Sequence, residues 1–175
     1  TLQKLATGDL AHLPEFAQAV QGLAATLDHD QQFARALTSR PVVLGHYFTA
    51  DREGRTAGQL PVPVMNKAEL KGVPAHFIRW NGYGANLPML QNAAQTSGAF
   101  NAITDEDGVV RAVPLVSEYQ DGLYASFSLA LYRALLREST VEPGFPPTRF
   151  LPKGYQGLES VVIRQGEQAV ALPID

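Results

Sequence analysis

Along the opening segment Phe16, Val20, Leu23 and Leu27 recur at the spacing of a helix, and Pro14 stands where a first turn tolerates proline, its missing N–H being unpaired there anyway. Leu27 then runs into Asp28, His29 and Asp30. Asp is a good capping side chain, so a second helix of about three turns is predicted, with Phe33 and Leu37 as its buried edge and Arg40-Pro41 as its stop. The period then changes. Residues 41–48, Pro-Val-Val-Leu-Gly-His-Tyr-Phe, form an apolar run rich in β-branched and aromatic side chains, which reads as a strand largely buried on both faces. From 49 to 87 neither period persists, because Pro61, Pro63 and Pro74 and glycines at 54, 58, 72, 82 and 84 break every candidate element. One long loop is expected, with a short strand at 75–80; loops of that length in a compact domain are usually functional or mobile.

Pro88 opens a predicted short helix, 88–96, that ends at Gly98, and Gly98-Ala-Phe-Asn-Ala-Ile103 reads as a strand. The dipeptide Asp107-Gly108 favours a two-residue hairpin turn of type I′, whose central residues both need positive φ. That turn sets Phe100 opposite Leu115 and Ala102 opposite Val113, four residues sharing one face. Pro114 cannot donate to a ladder, so the second strand should be an edge or carry a bulge. Residues 126–139 predict the longest clear helix, with Phe127, Leu131, Ala134 and Leu135 as core stripe and Arg133 and Arg137 on another face. Leu129, Tyr132 and Leu136 lie off that stripe, so the helix should be sandwiched or sit at an interface. A proline-rich connection follows (Pro143, Pro146, Pro147, Pro152), then a last hairpin, 159–164 with 168–174, turning at Gly166-Glu167 and placing Ile163 opposite Val170. Helices alternating with buried strands indicate an α/β fold, a layered sheet with packed helices and antiparallel hairpins.

The chain has 175 residues, 45% of them apolar and 18% charged, which fits one globular domain over residues 1–175. There is no Cys, so disulfides, thiolate catalysis and cysteine-based zinc sites are excluded. A net charge of −3 with scattered Lys and Arg makes nucleic acid an unfavoured partner. The longest uncharged apolar-rich stretch, 122–132, is too short to span a membrane. The first residues, Thr-Leu-Gln-Lys, have no signal-peptide layout, and with no initiator Met the chain is expected to be a segment of a longer protein.

Candidate chemistry is sparse. Gly82-Tyr-Gly84 is only a fragment of a phosphate-binding pattern, and neither a Gly-x-Ser-x-Gly elbow nor a His-Glu-x-x-His pair occurs. The four His residues, 12, 29, 46 and 76, lack metal-ligand spacing. Asp105-Glu-Asp-Gly108 resembles the middle of a calcium loop, but Ile103 and Pro114 stand where the first and last ligands belong, so Asp105, Asp107 and Gly108 read as a structural turn; no metal and no cofactor is expected. His46, near the end of a buried strand, is placed to face a cleft at the strand's carboxyl end. The cluster Phe77, Arg79, Trp80 and Tyr83 sets the only Trp beside a cation and other aromatics. Such a group anchors a long loop by burying its rings, or else binds anionic or aromatic ligands.

The order of blocks is itself informative: Asp28-His-Asp30, Val42-Val-Leu-Gly, a variable loop, Leu87-Pro-x-Leu, Gly98-Ala-Phe-Asn, Asp105-Glu-Asp-Gly-Val-Val-Arg-Ala-Val-Pro114 and Leu123-Tyr-Ala-Ser-Phe-Ser-Leu-Ala. It resembles the second type of CHASE domain, most specifically from Gly98 to Leu136 and loosely from Thr49 to Leu87. Those domains are extracytoplasmic sensory modules of bacterial transmembrane histidine kinases, nucleotide cyclases and serine/threonine kinases. The resemblance implies a periplasmic or cell-surface location, with membrane spans and a cytoplasmic output domain outside this chain. It also implies that the strand-helix-strand unit with which family members usually begin is missing here. No binding residues transfer from it. The leading expectation is a non-enzymatic sensor for a small molecule or periplasmic partner, with no catalytic residues and a ligand near His46, Tyr47, Arg79, Trp80 and Tyr83. Homodimerisation is expected through spare apolar surface on the 126–139 helix or through the face that the missing N-terminal unit normally covers. The alternatives are an α/β enzyme with His46 as general base and Asp51 or Asp105 as its orienter, and a structural dimerisation module.

Overall fold

A computed structural model describes residues 14–73, 75–137, 139–145 and 157–174. Helix α1 (Pro14–Leu27) starts on the expected proline, and α2 (His29–Leu37) is capped by Asp28, whose carboxylate accepts the Gln31 N–H at 3.0 Å. Leu37 is buried as predicted, but Phe33 is exposed. The inward edge of α2 runs through Ala34 and Leu37, at three-residue rather than four-residue spacing.

Strand β1 (Val43–Thr49) is central in its sheet. It pairs parallel with β6 (Thr96–Ala99) and antiparallel with β5 (Gly82–Gly84), beyond which lies β2 (Thr56–Ala57), so the two main predicted strands share one sheet. β1 is not buried on both faces. His46 and Phe48 are covered, whereas Tyr47 lies over Gly84 and is 55% exposed. On the Tyr47 face Gly45 stands beside Gly98 in register, and this glycine pair is where a helix crosses the sheet. After β6 the side-chain amide of Asn101 prolongs the ladder, accepting Phe48 N–H at 2.8 Å and donating to Phe48 O at 2.9 Å.

The stretch from 49 to 87 is not a loop. It supplies β2 and β5 to the first sheet, and β3 (Met65–Asn66) and β4 (Ile78–Trp80) to a second, with a 3-10 turn (Lys67–Leu70) between. Strands of two or three residues are too short to show a period, and most of the stretch's prolines and glycines fall in the links between them. The second sheet has the order β3-β10-β9-β4, with β9 (Val116–Tyr119) and β10 (Gly122–Ala125) at its centre. Helix α3 (Pro88–Ala93) is shorter than predicted and β6 begins before Gly98, because the Gln95 N–H already bonds Val42 O at 3.1 Å as the chain joins β1.

β7 (Ile103–Thr104) and β8 (Val110–Ala112) form the expected hairpin with Ile103 opposite Ala112, the predicted register. Neither Phe100 with Leu115 nor Ala102 with Val113 forms a pair; Phe100 packs on Phe127 instead, ring centroids 4.6 Å apart. The turn has three residues rather than two. Gly108 N–H bonds Asp105 O at 2.9 Å, Asp105 N–H bonds Val109 O at 3.0 Å, and within the turn Gly108 alone has positive φ, +81°. This is a type I turn closed by a glycine bulge, and the irregularity between Ile103 and Thr104 restores the register. Pro114 lies past the ladder, where its missing N–H costs nothing. Arg111 bridges the turn, 2.7 Å from Asp105 and 2.7 Å from Asp107, and holds the Asp107 carboxyl below the usual carboxylate range. No atom lies within 4 Å of a Cβ built on Gly108, so Gly108→Val should lose about 1 to 3 kcal/mol through φ alone. Urea melts check this; a change within about 0.5 kcal/mol, the range of ordinary surface substitutions, refutes it.

Helix α4 (Phe127–Leu136) is capped by Ser126, whose hydroxyl accepts the Leu129 N–H at 3.3 Å. Its buried face is Leu129, Ala130 and Ala134; of the predicted stripe Ala134 is buried and Phe127 half-buried, whereas Leu131 and Leu135 are exposed. The helix is apolar nearly all round, so periodicity does not choose a face. Close approach does: Gly98 faces Ser126 O, the Phe127 backbone and the small Ala130 side chain. The predicted proline-rich connection contains a strand, β11 (Thr140–Gly144), tolerating Pro143 because it is the edge of the sheet β11-β12-β13. Pro146, Pro147 and Pro152 fall outside the described residues. β12 (Ser160–Gln165) and β13 (Gln168–Pro173) make the last hairpin with Ile163 opposite Val170, as predicted. Met65, Leu123, Leu129, Val161 and Ile163 form the core between the second sheet, α4 and the three-stranded sheet.

Candidate functional site

The two four-stranded sheets meet through aromatic rings. Phe48, from the centre of the first sheet, stacks near Trp80 of β4 and Tyr119 of β9, with centroid separations of 6.4 and 6.0 Å, and meets Tyr124 of β10 edge-on at 5.5 Å. Tyr83 of β5 meets Tyr119 edge-on at 5.2 Å. These separations suit favourable ring pairs. Trp80 and Tyr83 therefore join the sheets, which is the anchoring role weighed for them. Burial raises the Tyr124 hydroxyl's pKa, helped by Tyr119 and Tyr83, so the three phenols converge.

His46 lies mid-strand and only 2% exposed, not at a cleft mouth. Its Nδ1 is 3.1 Å from Ser97 Oγ, and Ser97 Oγ donates to Gln91 Oε1 at 2.9 Å. The hydroxyl has one proton and gives it to Gln91, so His46 Nδ1 is the donor to Ser97 and Nε2 carries the bare lone pair. Nε2 has no hydrogen-bond partner among the described residues, and burial pushes the imidazole pKa down to about 4. Neither carboxylate considered as its orienter is bonded to it: Asp51 accepts the Gly54 N–H at 2.5 Å, and Asp105 pairs with Arg111. His29 and His76 are exposed; His12 lies outside the described residues. Among the described residues no three His, Asp or Glu side chains gather as a metal site, and no helix is long and apolar enough to cross a membrane.

Two clefts on the surface of the described residues bear on these side chains. The smaller, about 430 Å³, contains Arg79 and Trp80 together with Lys67, Glu118 and Tyr119. Glu118 is buried and bridges two cations, with Lys67 Nζ at 2.5 Å and Arg79 Nε at 2.7 Å, while the rest of the Arg79 guanidinium is open to solvent. The larger, about 660 Å³, lies between the 59–64 segment, α3, α4 and β11. Its walls include Gln91, the end of the His46 chain, and Arg133. Of the expected ligand residues, the smaller cleft thus unites Arg79 and Trp80; Tyr83 reaches it only through Tyr119, and His46 and Tyr47 line neither cleft.

Sequence reasoning passed over Glu118 and Gln91, and placed Arg133 only with Arg137 on a helix face away from the core stripe. Signals existed for two of them. Glu118 falls two residues after the buried Val116 on one strand, hence on the same face. Arg133 stands four residues after Leu129, one turn along the same side of α4.

Comparison with curated proteins and with solved structures gives no match. The sequence model of the CHASE2 domain matches residues 8–174, essentially the whole chain. The α/β layering, the Gly98-Ala-Phe-Asn strand with its Asn101 clamp, and the Asp105–Gly108 turn all lie within that match, and the chain belongs to the CHASE2 family of extracellular sensory receptor domains.

Proposed function

We propose that this chain is the non-enzymatic, periplasmic sensory module of a bacterial transmembrane receptor with a histidine kinase, nucleotide cyclase or serine/threonine kinase output, and that a small molecule binds at the Arg79–Trp80 cleft. The observation carrying this reading is the stacking of Trp80 on Phe48. A ligand against Arg79 and Trp80 touches the second sheet directly and the central strand of the first through one ring. Occupancy therefore biases how the two sheets sit together, which is what a sensor needs from a binding event. Arg79 offers its outer nitrogens to an anion while Nε stays on Glu118, and the neighbouring indole offers a stacking surface.

A thermal screen of periplasmic metabolites tests this. A ligand at about 100 times its dissociation constant stabilises by roughly 2.7 kcal/mol, a melting shift of about 5 to 11 °C for a domain of this size. The compound found should also change the fluorescence of Trp80, the only Trp. Trp80→Phe and Arg79→Ala should each weaken its binding; unchanged affinity in both variants would place the ligand elsewhere. The exposed Leu131 and Leu135 of α4 are the face we propose for pairing of two copies. Sedimentation equilibrium should show a dimer that Leu135→Glu dissociates, and a clean monomer at millimolar concentration refutes it.

A further inference from the structure

The larger cleft is built around a cation that no carboxylate neutralises among the described residues. Three charged side chains line it: Glu69, Glu142 and Arg133. Glu69 Oε1 accepts the Asn66 N–H at 2.8 Å, fixed as the cap of the 3-10 turn. Glu142 is held by Arg164 Nε at 2.9 and 3.1 Å. Arg133 has no carboxylate partner among the described residues. One Nη donates to Ser139 O at 3.0 Å, and the buried Nε–H has no acceptor among the described residues. A guanidinium does not shed its proton, so burying part of it without an anion or a full set of acceptors is costly. Burial indeed depresses its pKa.

We propose that this cleft binds a small organic monocarboxylate bearing hydroxyl or amide groups, its carboxylate on the Arg133 guanidinium and its polar body against Gln59, Gln91 and Asn92. This goes beyond the Arg79–Trp80 reading and does not depend on it. A carboxylate matches the planar fork of arginine with two parallel hydrogen bonds. Phosphate, carrying more charge, meets Glu69 and Glu142 on the same walls. The rim holds amide donors and acceptors, with Gln59 Nε2 donating to Asn92 Oδ1 at 2.9 Å, and the Leu60, Pro61, Val62 and Pro63 segment forms an apolar side. The volume is within the range of small-molecule sites.

Isothermal titration with gluconate and N-acetylalanine as probes tests the proposal, with glucose and inorganic phosphate for comparison. At least one carboxylate probe should bind, glucose and phosphate at least tenfold more weakly. Arg133→Gln should weaken that probe at least tenfold, Arg133→Lys less, and Asn92→Ala several-fold. Asn92 is exposed, so that variant keeps the test decisive if Arg133→Gln does not fold. Trp80→Phe and Arg79→Ala should leave the titration unchanged, which separates this site from the smaller cleft. No binding of either probe, equal binding of glucose or phosphate, no effect of the Arg133 and Asn92 variants, or loss on Trp80→Phe would each overturn it.

Discussion

Gly98→Val should destabilise the domain by at least about 3 kcal/mol, at the upper end of the usual cost of overpacking. A Cβ on Gly98 would lie 2.5 Å from Phe127 Cα and 2.7 Å from Ser126 O, so the obstacle is backbone and not a side chain that can turn away. The contact is also the seat of α4 on the first sheet, since Ser126 caps the helix and makes an isolated bridge with Ala99. Relief requires lifting the helix, which exposes Ala130 and Leu129. Gly45→Ala provides the contrast. There the three atoms nearest an added Cβ all belong to the ring of Phe100, a side chain 59% exposed that can turn outward at the cost of its contact with Phe127, so the loss should be less than half as large. Urea melts of both variants decide the matter. A Gly98→Val change within about 0.5 kcal/mol would mean that α4 does not cross the sheet at this point.

Acidification should cost about 3 kcal/mol through His46 alone. Its folded pKa, about 4, lies below the ordinary value of 6.5 expected when unfolded. Between those values the unfolded chain binds the proton and the folded chain does not, so stability rises with pH across that window. The contribution is complete above about pH 6.5, declines as pH falls, and is gone below about pH 4; some 2.5 pH units at 1.36 kcal/mol each give the total. Asp107 and Glu142, whose carboxyls are also held low by arginines, lose their contributions only at lower pH. Among the described groups with a resolved shift only His46 titrates between pH 5 and 6.5, so His46→Gln should flatten the slope of stability there. Nitrogen NMR of the imidazole should show the Nδ1–H tautomer, neutral at pH 5. An unchanged slope in the variant, or a charged ring at pH 5, would contradict the buried Ser97–Gln91 arrangement.

How much of this was legible beforehand depends on how local each cause is. Asp28 and Ser126 were readable as caps or helix starts, and Gly108 and Gly166 as turns, because each acts on backbone within a few residues. The Ile163–Val170 pairing followed from the turn alone. The short strands between Thr49 and Leu87 escaped because two or three residues carry no period; their pairing partners lie in β1, β9 and β10, and β5 itself, far along the chain. At the candidate sites, Arg79 and Trp80 were visible as a cation beside an aromatic in sequence. The buried Glu118 that orients Arg79, and the cleft around Arg133, come from segments that meet only on folding.

By itself, then, the sequence determined the α/β class, the helix starts, the positions of the tight turns, the Ile163–Val170 register and, through the order of its motifs, the sensory family. The tertiary structure decided which face of α4 is buried, that Tyr47 is exposed while His46 is not, and where the two clefts lie. The physical reason is range. Capping, φ preference and turn closure are settled by neighbours in the chain, whereas burial and cleft formation depend on which distant small residues, above all Gly45 and Gly98, let a helix approach a sheet.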